Sequence, residues 1–113
     1  MDDLEPIIRR ASTVVIERQP PLNRAALRIQ HWLELVVFRH NPACRVVTMN
    51  AQTRVAHVRR QRPDLDFSTY ARRKRSSVEY VRGLVRGTPA EATFEGARKK
   101  DDLAEAYVMA TMA

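Results

Sequence analysis

Thr13-Val14-Val15-Ile16-Glu17-Arg18-Gln19-Pro20 has the pattern of a buried β-strand closed by a turn. Its first four residues are all β-branched, and the apolar positions fall on both faces, as in a strand buried within a parallel sheet. Gln19-Pro20-Pro21 ends it, because proline lacks the N–H that a strand needs. Downstream, Asn23 is placed to cap a helix, and Leu22, Ala26, Ile29, Leu33, Val36 and Val37 recur at helical spacing through His40. Asn41-Pro42 stops that helix, since the residue before proline avoids the helical region. Arg45-Val46-Val47-Thr48-Met49 is a second β-branched strand. A strand, a helix and a strand in this order predict a parallel pair joined by a right-handed crossover. Upstream, Asp3 to Ala11 predicts a short helix with Leu4, Ile7, Ile8 and Ala11 on one face.

The second half is less regular. Ala51 to Phe67 is polar and basic and matches no period. Tyr70 to Arg86 predicts a helix with Val78, Val81 and Val85 as its apolar stripe, broken by Gly87-Thr88-Pro89. Glu91 to Lys99 reads as loop. Lys100 to Met112 predicts a final helix with Leu103, Ala106, Tyr107 and Ala110 facing inward. With 113 residues the chain has the length of one small α/β domain.

Lys and Arg outnumber Asp and Glu by 20 to 13, a net charge of +7. That excess favours a polyanionic partner, nucleic acid above all, against the alternative of a basic surface that only confers solubility. Cys44 is the single cysteine, which excludes an intrachain disulfide and a cysteine-based zinc site and fits a reducing intracellular compartment. No stretch is apolar enough to cross a membrane. Glycine-rich phosphate loops and Ser-His-Asp arrangements are absent, and His31, His40 and His57 have no ligand spacing. Trp32 reads as packed against the strands.

Three features can carry chemistry. Glu17 stands at the carboxyl end of a parallel strand, where α/β sheets bind ligands; it is either a metal ligand or a strand-end carboxylate in solvent or paired with Arg18. In Lys99-Lys100-Asp101-Asp102-Leu103-Ala104-Glu105, Glu105 lies three residues from Asp102 and four from Asp101. Both spacings share a helical face. Such carboxylates either hold a divalent cation or complement the dipole at a helix start. Arg72, Arg73, Lys74, Arg75, Arg82 and Arg86 give the 70–86 helix a basic side suited to phosphates, or simply a solvated one.

In order and spacing, Val14-Val15-Ile16-Glu17-Arg18-Gln19-Pro20, Asn23-Arg24 leading into Ile29-Gln30, Val46 to Thr48, Arg73-Lys74 ahead of Ser77-Val78, and Lys99-Lys100-Asp101-Asp102-Leu103-Ala104-Glu105-Ala106 together resemble the poxvirus-type Holliday junction resolvases of the ribonuclease H superfamily. The resemblance runs from about Val14 to Ala110. It implies a ribonuclease-H-like α/β fold and a Mg²⁺-dependent (or Mn²⁺-dependent) endonuclease that cleaves branched DNA as a homodimer. Glu17, Asp102 and Glu105 match the family's strand glutamate and helix acids, with Asp101 as the neighbour able to substitute. Lys74 matches the lysine that meets the scissile phosphate, and Arg72, Arg73, Arg75 and Arg82 surround it. The family carries aspartate where Glu105 stands. Its first three strands, with their catalytic aspartate, have no counterpart here: Asp2 and Asp3 lack a strand, and Asp64 and Asp66 fall in the wrong place. The chain is therefore expected to be N-terminally truncated relative to the family, binding branched DNA and cleaving it slowly. The alternatives are a catalytically incomplete nucleic-acid-binding module and a small basic protein that coats nucleic acid.

Overall fold

Each of the two β-branched runs forms a strand. A computed structural model of the protein describes residues 4–112, and in it β1 (Thr13–Glu17) pairs parallel with β2 (Arg45–Met49), Thr13 opposite Arg45 and Glu17 opposite Met49. Among the described residues there are two strands and six helices, an α/β arrangement. The chain divides into two compact units, one up to Ala51 and one from Gln52 to Met112. No helix of the described residues is long and apolar enough to cross a membrane.

The first unit is α1 (Glu5–Arg10), β1, α2 (Arg24–His40) and β2. Asn23 caps α2 as expected: its Oδ1 accepts from the Ala26 N–H at 3.1 Å. At the other end the Asn41 side chain donates to the Ile8 and Ala11 carbonyls, both at 2.9 Å, and so ties the end of α1 to the end of α2. Gln30, buried on α2, accepts from the Gln19 N–H at 2.7 Å and fixes the turn that follows β1. The predicted burial is too generous. Ile8 and Val37 are buried, but Leu22, Ile29 and Trp32 are exposed, as are Ile7 on α1 and Leu4 just before it, and the strands are at most half buried. A two-stranded sheet offers little surface to cover, so the apolar side chains on α2 exceed what it can bury. Asp3, assigned to the first helix from its pattern, lies outside the described residues.

The second unit is helical: α3 (Ala51–Gln61), α4 (Tyr70–Val85), α5 (Ala90–Glu95) and α6 (Lys100–Met112). Its core is Val58 from α3, Phe67 from the loop, Val81 and Val85 from α4, Phe94 from α5, and Ala104 and Val108 from α6. Thr69 caps α4 by accepting from the Arg72 N–H. Gly87, at φ 78°, turns the chain after α4 through the left-handed region where a Cβ is unfavourable.

Three local expectations change here. Residues 51–61, which match no period, are helix. Of Glu91 to Lys99, read as loop, the part up to Glu95 belongs to α5, because Pro89 starts that helix, the Thr88 Oγ1 accepts from the Ala90 N–H, and Phe94 anchors it in the core. On α6 the inward face is Ala104, Val108 and Met109, with Asp101 and Glu105 half-buried beside them. Leu103, Ala106, Tyr107 and Ala110 point outward. Since α6 is apolar on nearly every side, hydrophobic spacing alone does not select its buried face.

Candidate functional site

The choice of face on α6 has a chemical consequence. It turns Asp101 and Glu105, one helical turn apart, toward α4, and Lys74 of α4 meets both. Its Nζ donates to Glu105 Oε1 at 2.9 Å, lies 3.3 Å from Asp101 Oδ2, and sits 5.1 Å from the centre of the Tyr70 ring. The other Glu105 oxygen faces Arg54 Nη1 of α3 at 3.5 Å. Only 12% of the Glu105 side chain and 8% of the Arg54 side chain reach solvent. Three helices thus converge on one carboxylate with a cation on each oxygen.

Asp102 is not part of this group. It points outward, with Lys99 Nζ 3.8 Å from its Oδ2. Of the two neighbouring aspartates, Asp101 shares the face of Glu105, as the i,i+4 spacing allows. Glu17 closes β1 in the first unit, half-buried and opposite Met49. Within the second unit, no three His, Cys, Asp or Glu side chains of the described residues gather as a metal cage. The Asp101–Glu105 pair nonetheless suits Mg²⁺, which takes one or two protein carboxylates and completes its shell with water and phosphate oxygens.

The basic residues of α4 do not form one face. Successive residues of a helix are about 100° apart, so Arg72 to Arg75 fan around it. Arg72 binds Asp66 Oδ2 at 2.9 Å and Ser68, and Arg73 donates to the Phe67 carbonyl. Arg82 is held between Glu79 at 2.7 Å and Glu95 at 2.8 Å. Arg75 makes no side-chain bond among the described residues and is exposed. Sequence reasoning missed Arg54, because an arginine inside a basic segment reads as surface. It also missed Arg98 and Lys100, which join Arg75 in lining a groove.

The electrostatics follow from these contacts. Burial acts to lower the Lys74 ammonium, but hydrogen bonds to Glu105, Tyr70 and Asp101 and the Glu105 charge outweigh it and hold its pKa above the ordinary 10.5. Burial likewise acts to raise Asp101, and Lys74 overrules it, leaving Asp101 below its ordinary 3.8. Asp64 beside Arg62, Asp66 beside Ser68 and Arg72, and Glu95 beside Arg82 are also lowered. Groups with lowered pKa stabilise above their unfolded values and lose that contribution as pH falls through the folded ones; the raised lysine stabilises below 10.5 and loses its contribution above it. The melting temperature, followed by circular dichroism, should hardly change between about pH 5 and 9 and fall steeply below about pH 4. A melting temperature that is the same at pH 7 and pH 2.5 would show that these ion pairs contribute nothing to stability.

A family model described as Poxvirus A22 protein matches residues 2–113. Uncharacterized protein 97L of Invertebrate iridescent virus 3 is 31% identical over 109 residues, which are 96% of this chain and 51% of that protein. The chain thus spans about half the length of this curated relative. No solved structure matches.

Proposed function

The chain belongs to the poxvirus A22 protein family, related to the Holliday junction resolvases, and on that premise we propose that it is a metal-dependent endonuclease domain of ribonuclease-H type that acts on four-way DNA junctions in viral genome processing. The observation that carries this reading is the cluster of Lys74, Asp101 and Glu105 between α4 and α6. Lysine beside paired carboxylates is what phosphodiester hydrolysis asks of a protein: acids to hold a cation and a fixed positive charge for the phosphate.

Asp101 and Glu105 are assigned as ligands of Mg²⁺, or Mn²⁺ in its place. Asp102 lies on the outward face and is assigned the lesser part. Glu17, in the first unit, is proposed as a metal ligand on its own place at the carboxyl end of a parallel strand. When bound, the divalent ion supplies Lewis-acid stabilisation of phosphate oxygens and a more acidic water. The chain's own residues do the rest. Lys74, held protonated through the neutral range, places a full charge beside the carboxylates, where it can meet a phosphate oxygen. Arg54 takes the inner Glu105 oxygen and fixes that carboxylate's orientation. A homodimer suits the substrate, since symmetric nicking of a junction uses two copies of a site. An intracellular location goes with this reading.

A second reading is a DNA-binding module without catalysis. In its favour, Asp101 and Glu105 already carry resident cations, Lys74 and Arg54. Both readings expect DNA binding, and the first expects a preference for branches. Fluorescence anisotropy with a four-way junction and a linear duplex of the same sequence, in Ca²⁺ to suppress hydrolysis, should give a junction Kd at least about tenfold lower, some 1.4 kcal/mol. Equal affinities would remove the junction from the proposal.

A further inference from the structure

An open groove of about 490 Å³ runs along the second unit from the Lys74–Asp101 cluster, between α4 and the start of α6. Arg75, Val78, Glu79 and Arg82 of α4 line it, together with Arg98 and Lys100 at the entry to α6. We propose that this groove holds the phosphodiester backbone of one DNA arm, with Arg75 of α4 and Arg98 of the segment before α6 gripping it and leading the strand to Lys74. The proposal rests on the nuclease reading and specifies where the substrate lies.

The charges in the groove are not equivalent. Arg82 is occupied by Glu79 and Glu95, and its role is to hold α5 against α4. Lys74 is occupied by Asp101 and Glu105. Lys100 donates to the Ala97 carbonyl, which fixes the chain at the entry to α6. Arg75 and Arg98 are exposed and make no side-chain bond or ion pair among the described residues. Two guanidiniums left without carboxylates, in a unit that pairs most of its other cations, are set for an external anion.

The shape indicates a chain rather than a small anion. The free arginines stand on separate elements, α4 and the segment before α6, and both are exposed rather than set around a buried point. Arg75, Val78 and Arg82 fall at i, i+3 and i+7, on one stripe of α4 that lines the groove. At 1.5 Å per residue that stripe is about 10 Å long, more than a single small anion spans. Guanidinium forks match phosphate oxygens in pairs, which suits arginine to this task. At the Lys74 end the same groove borders Asp101, so a strand lying in it is delivered to the carboxylates.

The test is the salt dependence of junction binding without hydrolysis, measured by anisotropy in Ca²⁺ across a KCl series. Arg75→Ala and Arg98→Ala should each weaken binding about tenfold at low salt and reduce the slope of log K against log salt by about one; the double variant should lose about two. Arg75→Lys and Arg98→Lys keep the charge and should keep the slope. Arg60→Ala, on the exposed side of α3, should leave it unchanged. A double variant with the wild-type slope, beside a wild type that binds DNA, overturns the groove and leaves the nuclease reading standing. Equal loss from Arg60→Ala overturns it too, since the effect would then be general surface charge. Tighter binding to an RNA junction of the same sequence overturns the assignment to DNA. A wild-type chain that binds no DNA overturns both proposals.

Discussion

Glu105→Gln is expected to lower the stability of the second unit by roughly 3 kcal/mol, on the order of 10 °C in melting temperature. Glu105 is nearly buried, and its two oxygens answer two cations from different helices, Lys74 at 2.9 Å and Arg54 at 3.5 Å. Glutamine keeps the shape but not the charge. It leaves Arg54 with a neutral amide where 8% of the arginine side chain reaches solvent. Removing one partner of a buried pair commonly costs about 3–5 kcal/mol, mostly through the desolvated charge left behind. The lower end applies because Lys74 keeps Asp101 and the amide oxygen still accepts one bond. Asp101→Asn should cost far less than Glu105→Gln, because Asp101 lies where water screens the pair. Thermal melts followed by circular dichroism, with a double-mutant cycle on Arg54 and Glu105, should give a coupling of about 1–3 kcal/mol. A coupling near zero would mean that the three-helix junction is not held by this pair.

The strand–helix–strand half of the fold was legible because its signals are local and redundant: runs of β-branched residues, a capping asparagine and prolines at the boundaries. The helical half was legible only where a stripe of one kind ran along it, as in α4. In α3 the inward stripe passes through Arg54, so its periodicity is hidden by a charge that finds its partner 51 positions later at Glu105. In α5 the signal was present in Thr88-Pro89-Ala90-Glu91, a threonine three residues before a glutamate with proline between, but six residues are too few for hydrophobic period to register. On α6 the ambiguity was physical. With apolar residues all round, the face was set by ion pairing to Lys74 and Arg54, which no local pattern contains. The same fact separates Asp101 from Asp102: adjacent in sequence and equally acidic, they differ by about 100° around the helix. Lys74 was found through the family resemblance. The idea of a single basic face on the 70–86 helix did not anticipate that four of its six cations, Arg72, Arg73, Lys74 and Arg82, already have partners within the unit.

If the carboxylates on α6 serve a metal-dependent nuclease, removing either of them must slow strand cleavage without releasing the DNA. Nicking of a labelled four-way junction in Mg²⁺, followed on denaturing gels beside a binding assay on the same samples, tests it most directly. It is run on wild type, Asp101→Asn and Glu105→Gln at a temperature where circular dichroism shows each variant folded. The wild-type chain should nick the junction only when Mg²⁺ or Mn²⁺ is present. Each variant should be slower by roughly 100-fold or more, since a group that stabilises the charge of the transition state is commonly worth that much. Junction affinity should stay within a few-fold, because the phosphate grip lies with Arg75 and Arg98. Nicking at the wild-type rate by Asp101→Asn and Glu105→Gln, or a junction left intact by the wild-type chain in either metal, would contradict the account.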